Sequence, residues 1–156
     1  MWTLKSSAFD HGKPIPKQHT GDGDDSSPPL EWTDPPAGTR EFALLVDDPD
    51  APTPEPWVHW VLYKLPARTR SLPEGLAPTR SVAAVAGALQ GKNTWGGIGW
   101  RGPAPPRGHG VHHYHVKLFA LDAPLADAGG LGKRELLAAM QGHVLGEAEL
   151  VGTYQR

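Results

Sequence analysis

No cysteine occurs anywhere in the 156 residues. Disulfides, thiolate metal sites and thiol nucleophiles are therefore out of the question, and a reducing compartment suits the chain. Long hydrophobic runs are missing too. No stretch approaches the roughly 18 consecutive apolar residues of a membrane-spanning helix, and the opening MWTLKSSAFDHGKPIPKQ has no apolar core of a secretory leader. The expectation is a soluble, cytoplasmic protein with no integral membrane association. An excess of basic charge is equally absent: the formal net charge is −2, with Lys and Arg scattered along the chain. That distribution offers no electrostatic footprint for nucleic acid. Neither G-x-S-x-G nor H-E-x-x-H occurs, so no familiar catalytic motif is recognisable, and no cofactor is called for.

Proline (17 residues) and glycine (19) are plentiful, and they punctuate apolar runs without forming a tract. That is the pattern of loop-rich β structure in a single domain, 1–156, large enough to bury roughly two-thirds of its unfolded surface. Trp2 to Ser7 alternates as a first edge strand. Leu30 and Trp32 share a face in a short extended segment, and Arg40 to Val46 is an apolar run. Trp57 to Leu65 is apolar on both faces, with Trp57, His59, Val61 and Tyr63 on one of them, so it reads as a central strand. A weak strand falls at Val82 to Val85, and His112 to Leu121 is the last long core strand. Lys133 to Met140 is the one clear helix, with Gly142 as its C-cap, and Val144 to Tyr154 closes the chain as a strand. With no βαβ rhythm and no internal repeat, the pattern predicts a mainly β fold. Its form is a two-sheet antiparallel β-sandwich with one or two peripheral helices, the C-terminal one at about 133–141.

Chemistry concentrates at Leu44 to Trp60, LLVDDPDAPTPEPWVHW, where an apolar strand runs into Asp47, Asp48 and Asp50 with no intervening cation. Pro49, Pro52, Pro54 and Pro56 stiffen the turn, so its carboxylates are held in place. His59 returns from that turn, and its neighbouring carboxylates are expected to raise its pKa towards or above neutrality. The glycine- and proline-rich stretch Lys92 to Gly110 is expected to be a structureless functional loop leading to His112 and Tyr114, which share a strand face. His113 and His115 fall on the opposite, solvent-facing side, and His109 lies in the loop, so the four cannot all converge. Asp22, Asp24 and Asp25 resemble the start of a calcium loop but lack its glycine and distal glutamate, and a solvated acidic turn is preferred.

Asp48-Pro49-Asp50-Ala51-Pro52, Trp57-Val58-His59-Trp60 and Gly102-Pro103-Ala104-Pro105-Pro106-Arg107-Gly108-His109-Gly110-Val111-His112-His113-Tyr114 resemble the phosphatidylethanolamine-binding proteins, most closely their bacterial Raf-kinase-inhibitor-like branch. Ser27 to Trp32 and Glu135 to Leu145 take part as well, so the resemblance covers nearly the whole chain. It implies a two-sheet sandwich with an anion pocket at one end, lined by Asp48, Asp50, Pro52, Trp57, His59, Gly108, His112 and Tyr114 and walled by Pro105, Pro106 and Gly110. The implied ligand is a small anion or a phosphorylated or zwitterionic headgroup. A regulatory, kinase-inhibitor-like role, a protein partner and a homodimer are also within what the resemblance implies. Two positions depart from the family pattern: His113 stands where arginine is usual, and Asp25 where asparagine is. The alternative from the residues alone is a hydrolase, metal-dependent or acid/base, using His59, His112 and Asp48 or Asp50. A protein-interaction scaffold with an empty pocket is a third.

Overall fold

The computed structural model describes residues 1–126 and 129–156. Three short strands, β1 (Thr3–Lys5), β3 (Leu30–Thr33) and β6 (Ser71–Leu72), form one sheet in the order β1-β3-β6. The larger sheet runs β2-β9-β8-β4-β5-β7, built from β2 (Lys13–Pro14), β4 (Glu41–Asp48), β5 (Trp57–Pro66), β7 (Leu89–Gln90), β8 (His112–Leu121) and β9 (Val144–Tyr154). All its pairings are antiparallel except that of two-residue β2 with β9, which is parallel, so the antiparallel sandwich expected from the sequence is present with one short parallel edge.

Period-two patterning decides which side chains meet. Leu4, Leu30, Trp32 and Leu72 from the small sheet pack against Phe42, Leu44, Val46, Trp60, Leu62, Val116, Leu118 and Leu150 from the large one. The opposite face of the large sheet is buried as well. Ala43, Leu45, Val58, Val61, Tyr63, Phe119 and Leu121 are covered by Leu125, Leu131 and the inner side of helix α1 (Lys133–Met140), which contributes Leu136 and Met140. This double cover explains why β4 and β5 are apolar on both faces. The helix ends at Met140, and Gly142 follows Gln141 with φ +82°, the left-handed geometry that turns the chain into β9. Among the described residues no helix is long and apolar enough to cross a membrane.

Two stretches differ from the sequence reading. Val82–Val85 is a turn, closed by Val85 N–H donating to the Val82 carbonyl, and the strand there is Leu89–Gln90, aligned on Leu62 and Tyr63. The glycine-rich stretch after it is latched at many points. Gly91 and Thr94 donate their N–H groups to Val61 and Val58, the Thr94 hydroxyl accepts the Val58 N–H, and Lys92 bridges Ile98. The loop thus satisfies the exposed edge of β5 and has a fixed path. The loop between Asp122 and Gly132 includes 127 and 128, which lie outside the described residues.

Candidate functional site

The end of β4 and the starts of β5 and β8 lie at one end of the large sheet, because β5 and β8 both run antiparallel to β4. Asp48, Trp57 and His112 arrive there together. β5 is irregular at this point: Val46 faces Trp60 and Asp47 faces Val58, so His59 is an extra residue with no counterpart on β4. Such a bulge breaks the alternation and re-aims a side chain. Trp60 and Val58 keep opposite cores, and His59 turns into the space above Tyr114, ring centroids 5.1 Å apart. The simple alternation read from the sequence is therefore corrected here.

His59 is nearly fully buried. Its Nδ1 lies 2.6 Å from the Arg101 carbonyl oxygen. A carbonyl can only accept, so Nδ1 carries the proton and Nε2 presents a lone pair while the ring is neutral. Burial holds the pKa of His59 below the ordinary histidine value, against the opposing bond to Arg101 and the fields of Asp48, Asp25 and Asp47. The sequence expectation of a raised pKa is thus overturned: desolvation wins because no carboxylate is hydrogen-bonded to this ring.

The aspartates are not unneutralised either. Asp47 points to the helix side, with Lys133 Nζ at 2.9 Å and Lys117 Nζ at 4.0 Å. Buried Asp48 accepts the Asp50 N–H on Oδ1 at 2.8 Å, and His112 Nδ1 lies 2.6 Å from Oδ2. Asp50, exposed, takes the His113 N–H at 2.8 Å and its Nδ1 at 2.7 Å on Oδ2. Burial alone would raise the Asp50 pKa, but the His113 bonds outweigh it and hold the group below the usual carboxylate range. His115 pairs with Glu149 at 3.3 Å. His109 does reach the site, its Nδ1 2.6 Å from His112 Nε2, which completes a chain Asp48–His112–His109 from the interior to the surface.

A cavity of about 250 Å³ lies between these elements, lined by Asp48, Pro52, Trp57, His59, His112 and Tyr114, with Pro105 and Pro106 in its wall. Ala51, Thr53, Trp95 and Ala104 complete it. Three of the expected residues stand outside that lining. Asp50 acts on the Asp48 carboxylate through its backbone N–H; Gly108 and Gly110 are exposed, with φ of +76° and +93°, and shape the loop that carries His109. Trp95 escaped the sequence reading, although its indole packs edge-on against Trp57 at 5.4 Å and His59 at 5.1 Å, with the Arg101 guanidinium 4.6 Å from its ring centre. A tryptophan stranded in a glycine-rich loop was the available signal. Burial first, then Asp48 and Asp50, pushes the Tyr114 hydroxyl pKa up, so it remains a proton donor. Among the described residues no group of three or more His, Asp or Glu side chains is placed to hold a metal ion. The facial triad that a metal-dependent hydrolase would need is not assembled among the described residues: His59 keeps a free Nε2, but both His112 nitrogens are engaged, by Asp48 and His109.

The family model described as phosphatidylethanolamine-binding protein matches residues 5–155. The chain belongs to this family. A UPF0098 protein of Methanothermobacter thermautotrophicus is 43% identical to it over 153 residues, covering 98% of each chain. The crystal structure of a phosphatidylethanolamine-binding protein homologue from Chlamydia trachomatis shares 39% identity and a TM-score of 0.89, over 99% of this chain and 97% of that one. E. coli YbcL, described as a member of the mammalian family, shares 31% identity with a TM-score of 0.91, over 99% and 98%.

The two departures from the family pattern have structural consequences in this chain. Asp25 adopts φ +56° and its Oδ1 accepts the Gly102 N–H at 2.8 Å, which fastens the cavity loop. An asparagine carbonyl would accept the same bond. His113 is spent on Asp50 at the rim and is a local partner of that carboxylate. Asp22 instead holds Tyr154 and Arg156, so the three aspartates of the supposed calcium loop do not form a ligand set.

Proposed function

We propose that the cavity binds a small anion of the phosphate class, free or as a phosphorylated or zwitterionic headgroup, and that the protein is a binding module. The observation that carries this reading is the convergence of His59, His112 and Tyr114, all on strands, around a void walled by prolines and tryptophans. Groups held on strands keep their geometry before a ligand arrives, which lowers the ordering cost of binding. At about 250 Å³ the space suits a headgroup and falls below the roughly 300–1,000 Å³ of pockets for drug-sized molecules. The Tyr114 hydroxyl lines the cavity, keeps its proton and would donate to a ligand oxygen. Tryptophan faces would accept the methylenes or ammonium of an attached ethanolamine.

Titration with inorganic phosphate and with phosphoethanolamine, followed by NMR, tests the proposal. Shifts at His59, Tyr114 and the Trp57 indole are expected; no perturbation of these residues up to millimolar ligand would overturn it.

A further inference from the structure

The polar inventory of the cavity is short of hydrogen-bond donors. None of its twelve lining residues is Lys or Arg, and Pro52, Pro105 and Pro106 have no backbone N–H to offer. The Thr53 N–H and hydroxyl are already donated, to the Ala51 and Glu55 carbonyls. Both Asp48 oxygens are occupied, and His112 spends its Nδ1–H on Asp48. His112 Nε2 is taken up by His109 Nδ1, 2.6 Å away, and offers the cavity nothing. His59 donates through Nδ1 to the Arg101 carbonyl, which leaves Nε2 as an acceptor. The donors that remain are the Tyr114 hydroxyl, the buried, unpartnered Trp57 Nε1–H and the indole N–H of Trp95.

A fully ionised tetrahedral anion brings only acceptors, and it would meet a lone pair at His59. Resting on the proposed anion-binding role of this cavity, we infer that the site selects an oxyanion bearing its own proton. Phosphate enters as the monoanion with a P–OH donating to His59 Nε2, and unprotonated anions of the same shape, such as sulfate, are discriminated against. The groups facing His59 agree with this preference. Asp48 from β4 and Asp25 from the loop are acidic, Asp47 acts only as a more distant field from the helix side, where Lys133 pairs with it, Tyr114 and His112 from β8 carry no fixed charge, and Arg101 turns its carbonyl inward with its guanidinium over Trp95. A second negative charge on the ligand finds no lining cation.

The experiment uses the unmodified protein. Calorimetric titrations with inorganic phosphate and with sulfate are run between pH 6 and 8, with a third arm of phosphatidylethanolamine vesicles in phosphatidylcholine, whose phosphodiester has no P–OH. Phosphate is expected to bind at least about tenfold more tightly than sulfate at pH 6. Its affinity should fall by about tenfold per pH unit once the monoanion ionises, the signature of one linked proton. Sulfate binding as tightly as phosphate with no pH dependence would overturn the selectivity and leave the anion site standing. Vesicle binding without phosphate binding would overturn it too. Failure of every arm would remove the anion-binding role itself.

Discussion

His59 and Arg101 grip one another at two points: the Arg101 N–H donates to the His59 carbonyl at 3.1 Å, and His59 Nδ1–H donates to the Arg101 carbonyl at 2.6 Å. A bulge residue without a β4 partner thereby finds its hydrogen bonds in the glycine-rich loop. The link runs through the Arg101 backbone, so its side chain is dispensable for it. His59→Ala is expected to cost about 2–4 kcal/mol, combining the lost bond with the space left between Trp95 and Tyr114. Arg101→Ala removes only the contact over Trp95 and is expected to cost about 0.5–1 kcal/mol. Urea denaturation of both variants checks the difference; equal losses would mean that the guanidinium, and not the peptide, holds the loop.

Stability should fall on mild acidification. Burial lowers the pKa of His59 in the folded state, so below the unfolded value of about 6.5 the unfolded chain binds more protons at this position. Folding therefore loses stability as pH falls through that value, by up to about 1.4 kcal/mol per pH unit for one group. Asp50, whose pKa is lowered in the fold, contributes stability that is present above the unfolded carboxylate value near 4 and is lost below it. Its exposure keeps that contribution small. In His59→Gln the slope between pH 6.5 and 5 should flatten. Denaturation midpoints across that range decide it, and an unchanged slope would assign the effect to another group.

Much of this is written in the sequence at the level of period and much is not. The alternation from His112 to Leu121 places Tyr114 on the core face, and the strand carries that through without interruption. The same rule fails at His59, because an inserted residue leaves no mark in a period-two pattern. Partners of the aspartates were invisible for another reason. Lys133 comes from the helix and His112 from β8, 86 and 64 residues away, so neither shows as an intervening cation. His109 reaches His112 only because the backbone at Gly108 and Gly110 takes positive φ, a detail that composition announces without giving its direction.

Asp47 and Asp48 are neighbours with separate duties, and substitution should part them. Asp47 is buried against Lys133 and faces away from the cavity, so Asp47→Ala is expected to destabilise by about 1–3 kcal/mol while phosphate affinity stays unchanged. Asp48→Ala takes a negative charge out of the lining and leaves the His112 Nδ1–H free to donate, so it is expected to tighten phosphate binding severalfold. Parallel denaturation and titration separate the two effects. A change of phosphate affinity in Asp47→Ala as large as in Asp48→Ala would show that the carboxylates act as one unit.

The cavity loop depends on a point too tight for any side chain at Gly102. A Cβ there would run into the His19 carbonyl oxygen and the Asp25 carboxylate, while the Gly102 N–H must still reach Asp25 Oδ1 at 2.8 Å. Gly102→Ala is therefore expected to cost more than about 2 kcal/mol, since both obstacles are fixed. His19 is fully buried and bonded through Nδ1 to Ser26, and Asp25 sits in left-handed geometry. Asp25→Asn offers the comparison. It keeps the acceptor and suits the positive φ, so it should leave stability within about 0.5 kcal/mol, whereas Asp25→Ala loses both and should cost about 1–2 kcal/mol. Hydrogen exchange at the Gly102 amide gives the local readout: protection should survive in Asp25→Asn and vanish in Asp25→Ala. Exchange that is equally slow in both would mean that the carboxylate does not hold this loop.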